Sequence, residues 1–429
     1  MVDKWDVALF SNICEESAFG PRFSGELYAT DGNVAILRTT DISMDGRIEY
    51  STMPLARLDL SKIKQHILRE NDLVITRSGR VGTAAVFEGF RLPVLPGAFL
   101  IRFRLRRDVA DPYFYRYYFN SIAGQEVLLS VATGSVQQNL NITSLHGLYV
   151  PAPSLNEQRA IARILGTLDD KIELNRCMNE TLETIARAIF KSWFVDFDPV
   201  RAKAEGREPA GMDSETAALF PDSFEETELG MVPKGWNFGT IGQDYNLIMG
   251  QSPPSETYNK EKNGVPFFQG RTDFGNRYPS VRIYCINPTR IANSGDTLIS
   301  VRAPVGDINI ASVKCCIGRG LSAIRHKSES CSFTFYMMLS LKKFFAQFEA
   351  EGTVFGSMNK KDFQEIACIS PPKEIIKKFE KVIFPFDKMI WNNEVESKIL
   401  ASVRDSVIPI LVSGTIRFCD NYRCERVLL

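Results

Sequence analysis

The sequence predicts an α+β fold: two pseudo-symmetric globular α/β domains separated by two long, coiled-coil-like helices. Motifs recur at a near-constant displacement. Leu168-Asp169-Asp170-Lys171-Ile172 returns 218 residues later, at 386–390, as Phe386-Asp387-Lys388-Met389-Ile390. Asn71-Asp72-Leu73-Val74-Ile75 and Val81-Gly82 return 224 residues later, as Gly295-Asp296-Thr297-Leu298-Ile299 and Val305-Gly306. Apolar residues also step by four and three along two long stretches, each entered through a Pro-bearing junction (Pro151-Ala152-Pro153; Pro371-Pro372). Two copies need not form an open array as many would. They suit one molecule with an internal two-fold axis, and such a molecule suits a ligand with two half-sites.

The first globular domain is predicted over 1–153. Its β-branched runs Val34-Ala35-Ile36-Leu37, Leu73-Val74-Ile75-Thr76 and Ala98-Phe99-Leu100-Ile101 lie between Asp-Gly and Arg-Ser-Gly turns, which predicts strands and hairpins. An aromatic-rich helix follows Asp111-Pro112, with Pro at its first position. A long helix is predicted over 154–196, where Ile161, Leu165, Leu168, Ile172, Asn175, Asn179, Leu182, Ala186, Ile189 and Trp193 form a heptad seam. Residues 197–230 read as an exposed acidic linker. The second globular domain, 231–372, repeats the plan with Phe267-Phe268, Thr297-Leu298-Ile299-Ser300 and a helix near 333–350. A second long helix and tail fill 373–429. Its seam is Phe379, Ile383, Phe386, Ile390, Asn393, Ser397, Leu400, Arg404, Val407 and Leu411, with Arg404 the charged exception. Neither helix buries its stripe alone, so the two are expected to pack together. Asn175 and Asn393 hold equivalent seam positions, either as register-setting buried amides or at a solvent gap where the helices splay. Pro385 is expected to kink the second helix or break it in two.

At 429 residues and 44% hydrophobic content, two to four domains with proper cores are expected. The chain opens without a signal-like segment and contains no run of eighteen apolar residues, so a soluble, cytoplasmic protein is expected. The nine cysteines lack CxxC spacing and His66, His146 and His326 lie far apart, which argues against a metal site and for a reducing compartment. Net charge is zero, but its distribution is uneven. Residues 57–107 hold eleven Lys/Arg against four Asp/Glu, and 271–327 hold nine against three, while 196–230 hold three against ten. A basic stretch in each copy is the footprint a polyanion would need. Catalytic signatures are missing: there is no GxxxxGK loop, no HExxH, no GxSxG and no amino-methyltransferase Asn/Asp-Pro-Pro-aromatic motif. Asp169-Asp170-Lys171 and Glu396-Ser397-Lys398 superficially match nuclease spacing, yet read better as charged helix faces. No catalytic residue is assigned.

Leu155-Asn156-Glu157-Gln158-Arg159-Ala160-Ile161 through Leu168-Asp169-Asp170-Lys171-Ile172, with Ile189-Phe190-Lys191-Ser192-Trp193-Phe194-Val195-Asp196-Phe197, resembles the central conserved region of type I restriction–modification specificity subunits. So does Leu229-Gly230-Met231-Val232-Pro233-Lys234-Gly235-Trp236, which in that family introduces the second target-recognition domain; Leu411-Val412-Ser413-Gly414-Thr415-Ile416 resembles the family's C-terminal close. The resemblance covers nearly the whole chain and implies a non-catalytic reader of bipartite double-stranded DNA. Each target-recognition domain would read one half-site. The conserved helices, antiparallel in the family, would set the gap and dock two modification (methyltransferase) subunits. Adenine-N6 methylation with S-adenosylmethionine, and ATP- and Mg-dependent translocation and cleavage by restriction subunits, would belong to partners; this chain itself would hold no cofactor and no metal. A self-sufficient restriction or methyltransferase polypeptide, and a scaffold binding only protein, are the alternatives.

Base edges are read by Arg at guanine and by Asn or Gln at adenine, while phosphate contacts set position. Polar, Gly-flexed loops carrying such residues are therefore the candidate DNA-binding elements. In the first domain these supply Arg38, Thr39, Arg77, Ser78, Arg80, Ser135, Gln137, Gln138 and Asn139. In the second they supply Gln269, Arg271, Thr272, Arg302, Arg319, Thr353, Ser357 and Asn359. Turn chemistry alone accounts equally well for the Gly, Ser and Asn of any one loop.

Overall fold

The computed structural model describes residues 5–134, 138–227, 230–348 and 356–417. The chain divides into two compact units: one runs to Asn175 and resumes at Val395, and the other spans Arg176–Glu394. Each unit holds one globular lobe and one half of each long helix.

In the first lobe, Cys14–Phe19, Leu100–Leu105, Leu73–Thr76 and Ala84–Val86 form a four-stranded antiparallel sheet in that order. A smaller sheet, Leu55–Ala56, Val34–Leu37 and Val94–Pro96, covers one face: Ala35 and Leu37 pack with Val74, Ala85 and Leu100. The other face, bearing Leu73, Ile75, Ile101 and Phe103, packs with Phe114 and Phe119 of the helix Pro112–Asn120. Cover on both faces explains why Leu73–Thr76 is a continuous buried apolar run rather than an alternating one. Asp111 caps that helix through Tyr113 N and Phe114 N, with Pro112 at its first position, as predicted. The pairing of Val34–Leu37 with Val94–Pro96 is parallel, an arrangement that hairpin reasoning does not anticipate.

The second lobe rebuilds the plan. Tyr245–Met249, Leu321–His326, Thr297–Ser300 and Ile308–Ile310 form the antiparallel sheet. Tyr258–Asn259, Ile283–Cys285, Val265–Phe268, Cys315–Ile317 and Ile291–Ala292 form its companion, with Val265–Phe268 parallel to Cys315–Ile317. The sequence-repeated motif marks one strand and its two turns. Asn71 and Gly295 take positive φ (71° and 85°), as do Gly82 and Gly306 (89° and 86°). Asp72 accepts from Arg69 N at 2.8 Å and pairs with Arg104 at 3.0 Å; Asp296 accepts from Asn293 N at 2.6 Å and pairs with Arg325 at 2.6 Å. In each lobe an antiparallel pair, Val7–Leu9 with Tyr149–Pro151 and Asn237–Thr240 with Ala367–Ser370, ties the lobe's start to the strand before the long helix.

The long helices are Leu155–Phe194 and Lys373–Val412, each forty residues or about 60 Å at 1.5 Å per residue. Ser154 and Glu157 form a capping box at the first. The helices are antiparallel in both units. In the first, Ile161 and Leu165 cluster with Val407, Leu411 and Val412, and Asn175 lies against Glu396 and Ser397; in the second, Asn179 meets Asn393, and Trp193 and Phe194 meet Phe379. Ile161, Leu165, Phe379, Ile383 and Ile390 are fully buried in the seam, whereas Leu168, Ile172, Leu182, Ile189, Phe386, Leu400 and Val407 are half-buried. Phe190 and Phe194, off the strict heptad, are core residues too, because a 3.6-residue helix drifts from a 3.5 repeat.

The seam amides are buried pairs, not a solvent gap. Asn175 Nδ2 donates to Glu396 Oε2 at 2.7 Å and to Ser397 Oγ at 3.3 Å, and Asn393 Nδ2 donates to Asn179 Oδ1 at 2.8 Å. Positions 175 with 397, and 179 with 393, are the same contact under the 218-residue displacement. Pro385 does not break the second helix into pieces. It lies on the exposed side while Ile383 and Ile390 stay buried, and the packed stripe outweighs the roughly 3 kcal/mol of an interior proline. Arg404 is accommodated by Asp169, whose Oδ1 lies 2.7 Å from its Nη1.

The stretch 197–230 differs from the exposed linker expected of it. Helices Asp198–Ala204 and Ser214–Ala218 form there, and Val200 and Phe220 enter the second unit's core beside Trp193 and Trp236. Its charge count masks these few apolar residues. Among the described residues, no helix is long and apolar enough to cross a membrane, and no cluster of three or more His, Cys, Asp or Glu is arranged to hold a metal.

Candidate nucleic-acid interface

In each lobe, three loops at the ends of the sheet strands come together. The first follows a strand of the smaller sheet. After Val34–Leu37 the chain turns through Thr39–Asp41, with Asp41 Oδ2 accepting from Arg38 N at 2.8 Å. After Val265–Phe268 it turns through Arg271–Asp273, with Asp273 Oδ2 accepting from Gln269 N at 2.8 Å. Each buried Asp also takes a guanidinium: Arg38 at 2.7 Å on Asp41, and Arg282 on Asp273. The hydrogen bond to Asp41 holds the Arg38 pKa above its ordinary value.

The second loop joins two strands of the larger sheet. Thr76 Oγ1 donates to Arg80 O and accepts from Thr83 N at 2.9 Å; Ser300 Oγ donates to Pro304 O at 2.7 Å and accepts from Asp307 N at 2.9 Å. One hydroxyl thus shapes Arg77–Arg80 in one lobe and Arg302–Pro304 in the other. The third loop docks on the second by backbone bonds: Leu140 N to Arg77 O at 3.0 Å, and Ala303 N to Gly356 O at 3.2 Å.

The predicted residues divide sharply by environment. Arg38, Arg80, Gln138, Gln269, Arg271, Thr272, Arg302, Arg319 and Ser357 are exposed. Thr39, Arg77 and Asn139 are half-buried, and Ser78 is buried. Ser135, Gln137 and Thr353 lie outside the described residues. Several side chains have structural duties. The Arg80 guanidinium donates to Ile42 O at 3.0 Å and ties the second loop to the first. The Arg77 guanidinium sits 4.6 Å from the Phe19 ring centroid, presented by an aromatic face. Asn359 caps the helix Lys360–Glu365 by accepting from Asp362 N at 3.0 Å. Arg271 is held by Asp307 at 2.8 Å, which also takes Lys342 at 3.2 Å. Burial works against the Asp307 carboxylate, but these two hydrogen bonds outweigh it and keep its carboxyl below the usual range. Arg302 and Arg319 have no ion pair among the described residues.

In the second lobe, Gln269, Arg271, Thr272, Arg302, Pro304 and Gly320 border an open depression of about 380 Å³, with Phe267 and Ile283 in its lining. Guanidinium, amide and hydroxyl groups at the rim of an apolar hollow offer hydrogen bonds to base edges or phosphate. Sequence reading placed Asp41 and Asp273 in the candidate loops Arg38-Thr39-Thr40-Asp41 and Gln269-Gly270-Arg271-Thr272-Asp273 without a role for either, and missed Arg282 and Asp307. The first two are signalled by the shared Arg-Thr-Thr-Asp and Arg-Thr-Asp spellings; Arg282 and Asp307 reach their partners only through the fold. The local basic surplus is also partly internal: Arg102, fully buried, pairs with Glu16 at 2.7 Å, and Arg277 with Asp387 at 2.5 Å.

The comparisons agree with this architecture. The model of the type I restriction modification DNA specificity domain matches residues 3–184 and 233–403, once per repeat. The type I restriction enzyme MjaX specificity subunit of Methanocaldococcus jannaschii is 32% identical over 391 residues, covering 86% of each chain. The HindI specificity subunit of Haemophilus influenzae is 30% identical over 328 residues, covering 65% of this chain and 71% of its own. The crystal structure of a type I restriction–modification S subunit from M. genitalium shares the fold, with a TM-score of 0.64 at 17% identity over 95% of this chain and 96% of that one. With its doubled lobes and paired helices, the chain belongs to the type I restriction–modification DNA specificity family.

Proposed function

We propose that the chain gives a type I restriction–modification complex its DNA sequence specificity, with each lobe reading one half of a bipartite target. The observation that supports this most is the three-loop surface built twice, by the same Asp-capped turn and the same hydroxyl-shaped loop. The two surfaces carry different exposed side chains: Arg38, Arg80 and Gln138 against Gln269, Arg271, Thr272 and Arg302. A shared scaffold with divergent tips suits two different half-sites. The helix pair sets the unread gap and docks two modification subunits. Adenine-N6 methylation with S-adenosylmethionine, and ATP-driven cleavage by restriction subunits, belong to those partners in the cytoplasm.

The test is selection from a random duplex library by the chain co-purified with its modification partner. Two short boxes at a fixed separation are expected. Arg302→Ala and Gln269→Ala should relax one box and leave the other unchanged, each lost base contact costing about 1–3 kcal/mol. Equal weakening on unrelated DNA, with about one unit of salt slope lost, would reassign the residue to phosphate contact. A single box would remove the bipartite reading. Methyl transfer by the chain alone would favour a self-sufficient enzyme.

A further inference from the structure

Asp169 and Asp387, the equivalent acids of the helix repeat, do not face solvent. Their side chains are 8% and 15% exposed. Asp169 Oδ2 accepts from Arg116 Nη2 at 2.5 Å and from Tyr117 Oη at 2.6 Å, both on the lobe helix Pro112–Asn120. Asp387 accepts from Arg277 Nη2 at 2.5 Å, Ser332 Oγ at 2.6 Å and Tyr336 Oη at 3.4 Å; the last two are on the lobe helix Cys331–Ser340. The guanidiniums rest on aromatic rings, Arg116 on Tyr117 at 4.7 Å and Arg277 on Phe335 at 4.4 Å. One lobe draws its arginine from the helix and the other from the segment before Ile283. The contact is reproduced although the sequences supplying it differ.

Each long helix carries a second anchor toward its start. Gln158 Oε1 accepts from the backbone N–H of Asp111, the cap of its lobe helix, at 2.8 Å. Glu380 Oε2 accepts from Ser332 N at 3.0 Å and Phe333 N at 3.4 Å, and from the capping hydroxyl of Ser330. Gln158 lies eleven residues before Asp169, and Glu380 seven before Asp387, close to three and two turns, so each pair shares one helix face. One contact is a pivot. Two on one face, gripping the start and the body of a lobe helix, fix both its slide and its rotation.

We infer that Asp169 with Gln158, and Asp387 with Glu380, are positioning residues that set each recognition lobe's pose on the helix pair and so the half-site separation the protein accepts. The inference rests on the bipartite reading above. One base-pair step is about 3.4 Å, roughly two residue rises along a helix, so a lobe freed to slip that far would accept a neighbouring separation.

The experiment is the same library selection, with the complex carrying wild type, Asp387→Asn, Asp387→Glu, and Asp387→Asn combined with Arg277→Gln. Wild type should return both boxes at one separation. Asp387→Asn should keep both boxes while raising the share at separations one base pair away by about tenfold or more, and Asp387→Glu, which keeps the charge, should restore most of the preference. An assembled Asp387→Asn complex with unchanged separation overturns the inference, as does loss of the second box at unchanged separation, which would mark a purely structural acid. If Asp387→Asn fails to assemble, the charge-neutral double variant and Glu380→Gln are read by the same criteria. If wild type itself shows only one box, the bipartite reading fails instead.

Discussion

Arg404 is the charged residue in an otherwise uncharged seam, and its replacement by methionine measures what that exception does. The Arg404 side chain is 14% exposed, and its Nη1 lies 2.7 Å from Asp169 Oδ1 and 3.7 Å from Asp45 Oδ2. Burial opposes its charge, but the Asp169 and Asp405 carboxylates hold its pKa well above the ordinary arginine value. In Arg404→Met, Asp169 Oδ2 keeps Arg116 and Tyr117, while Oδ1 loses its arginine. Breaking a buried pair outright costs 3–5 kcal/mol, and leaving one buried acceptor unmade about 1–3 kcal/mol. With two of three donors retained, about 2 kcal/mol is expected. The assay is urea unfolding followed by far-UV circular dichroism, arranged as a double-mutant cycle with Asp169→Asn. Neutralising Asp169 should recover part of the loss, with a coupling of about 0.5–3 kcal/mol. Arg57→Met is the control: Arg57 and Asp31 are 68% and 72% exposed, so their pair should contribute less than about 1 kcal/mol. A cost for Arg404→Met no larger than the control's, or a coupling of zero, would refute the claim that Asp169 neutralises the seam arginine.

Three further outcomes are expected. Phe379 is fully buried against the rings of Phe190, Trp193 and Phe194, so Phe379→Ala should cost about 3–5 kcal/mol in unfolding, and a loss below 1 kcal/mol would deny it a central place. Burial lowers the His326 pKa below 6.5, with Asp244 opposing and Lys373 and Lys327 assisting, and its Nδ1 accepts from Ser328 N at 3.0 Å. The neutral ring's contribution is therefore complete above about pH 6.5 and is lost as pH falls through the lowered folded value; His326→Leu should lack that component of the urea-midpoint profile. Asp307→Asn releases Arg271 and Lys342, and should steepen the salt slope for unrelated duplex by about one unit per cation that then reaches phosphate, whereas an unchanged slope would place that face off the DNA.

What was legible in the sequence was whatever repeats or keeps a period. The forty-residue seams, the strands around Val34, Leu73, Phe267 and Thr297, and the proline-led helix at Pro112 are local patterns, and local patterns survive without coordinates. The linker was misread because charge dominates its composition, while three apolar residues, Val200, Ala202 and Phe220, decide its packing. Asp169 was taken for a surface acid because a helix repeat cannot show which face a separate lobe will cover; Arg116 and Tyr117 are more than fifty residues earlier. The parallel strand pairs escaped notice for a similar reason, since Val34–Leu37 and Val94–Pro96 are joined through the whole intervening lobe. The loop residues were found as a class but not by role. Arg80, Arg302 and Asn359 look alike as polar loop residues, yet one ties loops, one makes no ion pair among the described residues and one caps a helix.

The same distinction bears on how a chain of zero net charge can bind a polyanion selectively. Counting charges gives residues 57–107 and 271–327 a basic surplus, but the fold spends part of it internally. Arg102 and Arg104 are closed on Glu16 and Asp72, Arg325 on Asp296 and Arg277 on Asp387. These pairs fasten strands, turns and helices, and they are unavailable to phosphate. Sequence-independent affinity scales with the number of phosphates neutralised, so internal pairing holds that term down without touching the loop tips. What remains exposed at those tips is a short set of guanidinium, amide and hydroxyl groups whose value depends on the base they meet. Each acid that fixes the scaffold therefore also raises the ratio of specific to non-specific binding, which for a protein searching a genome counts for more than affinity alone.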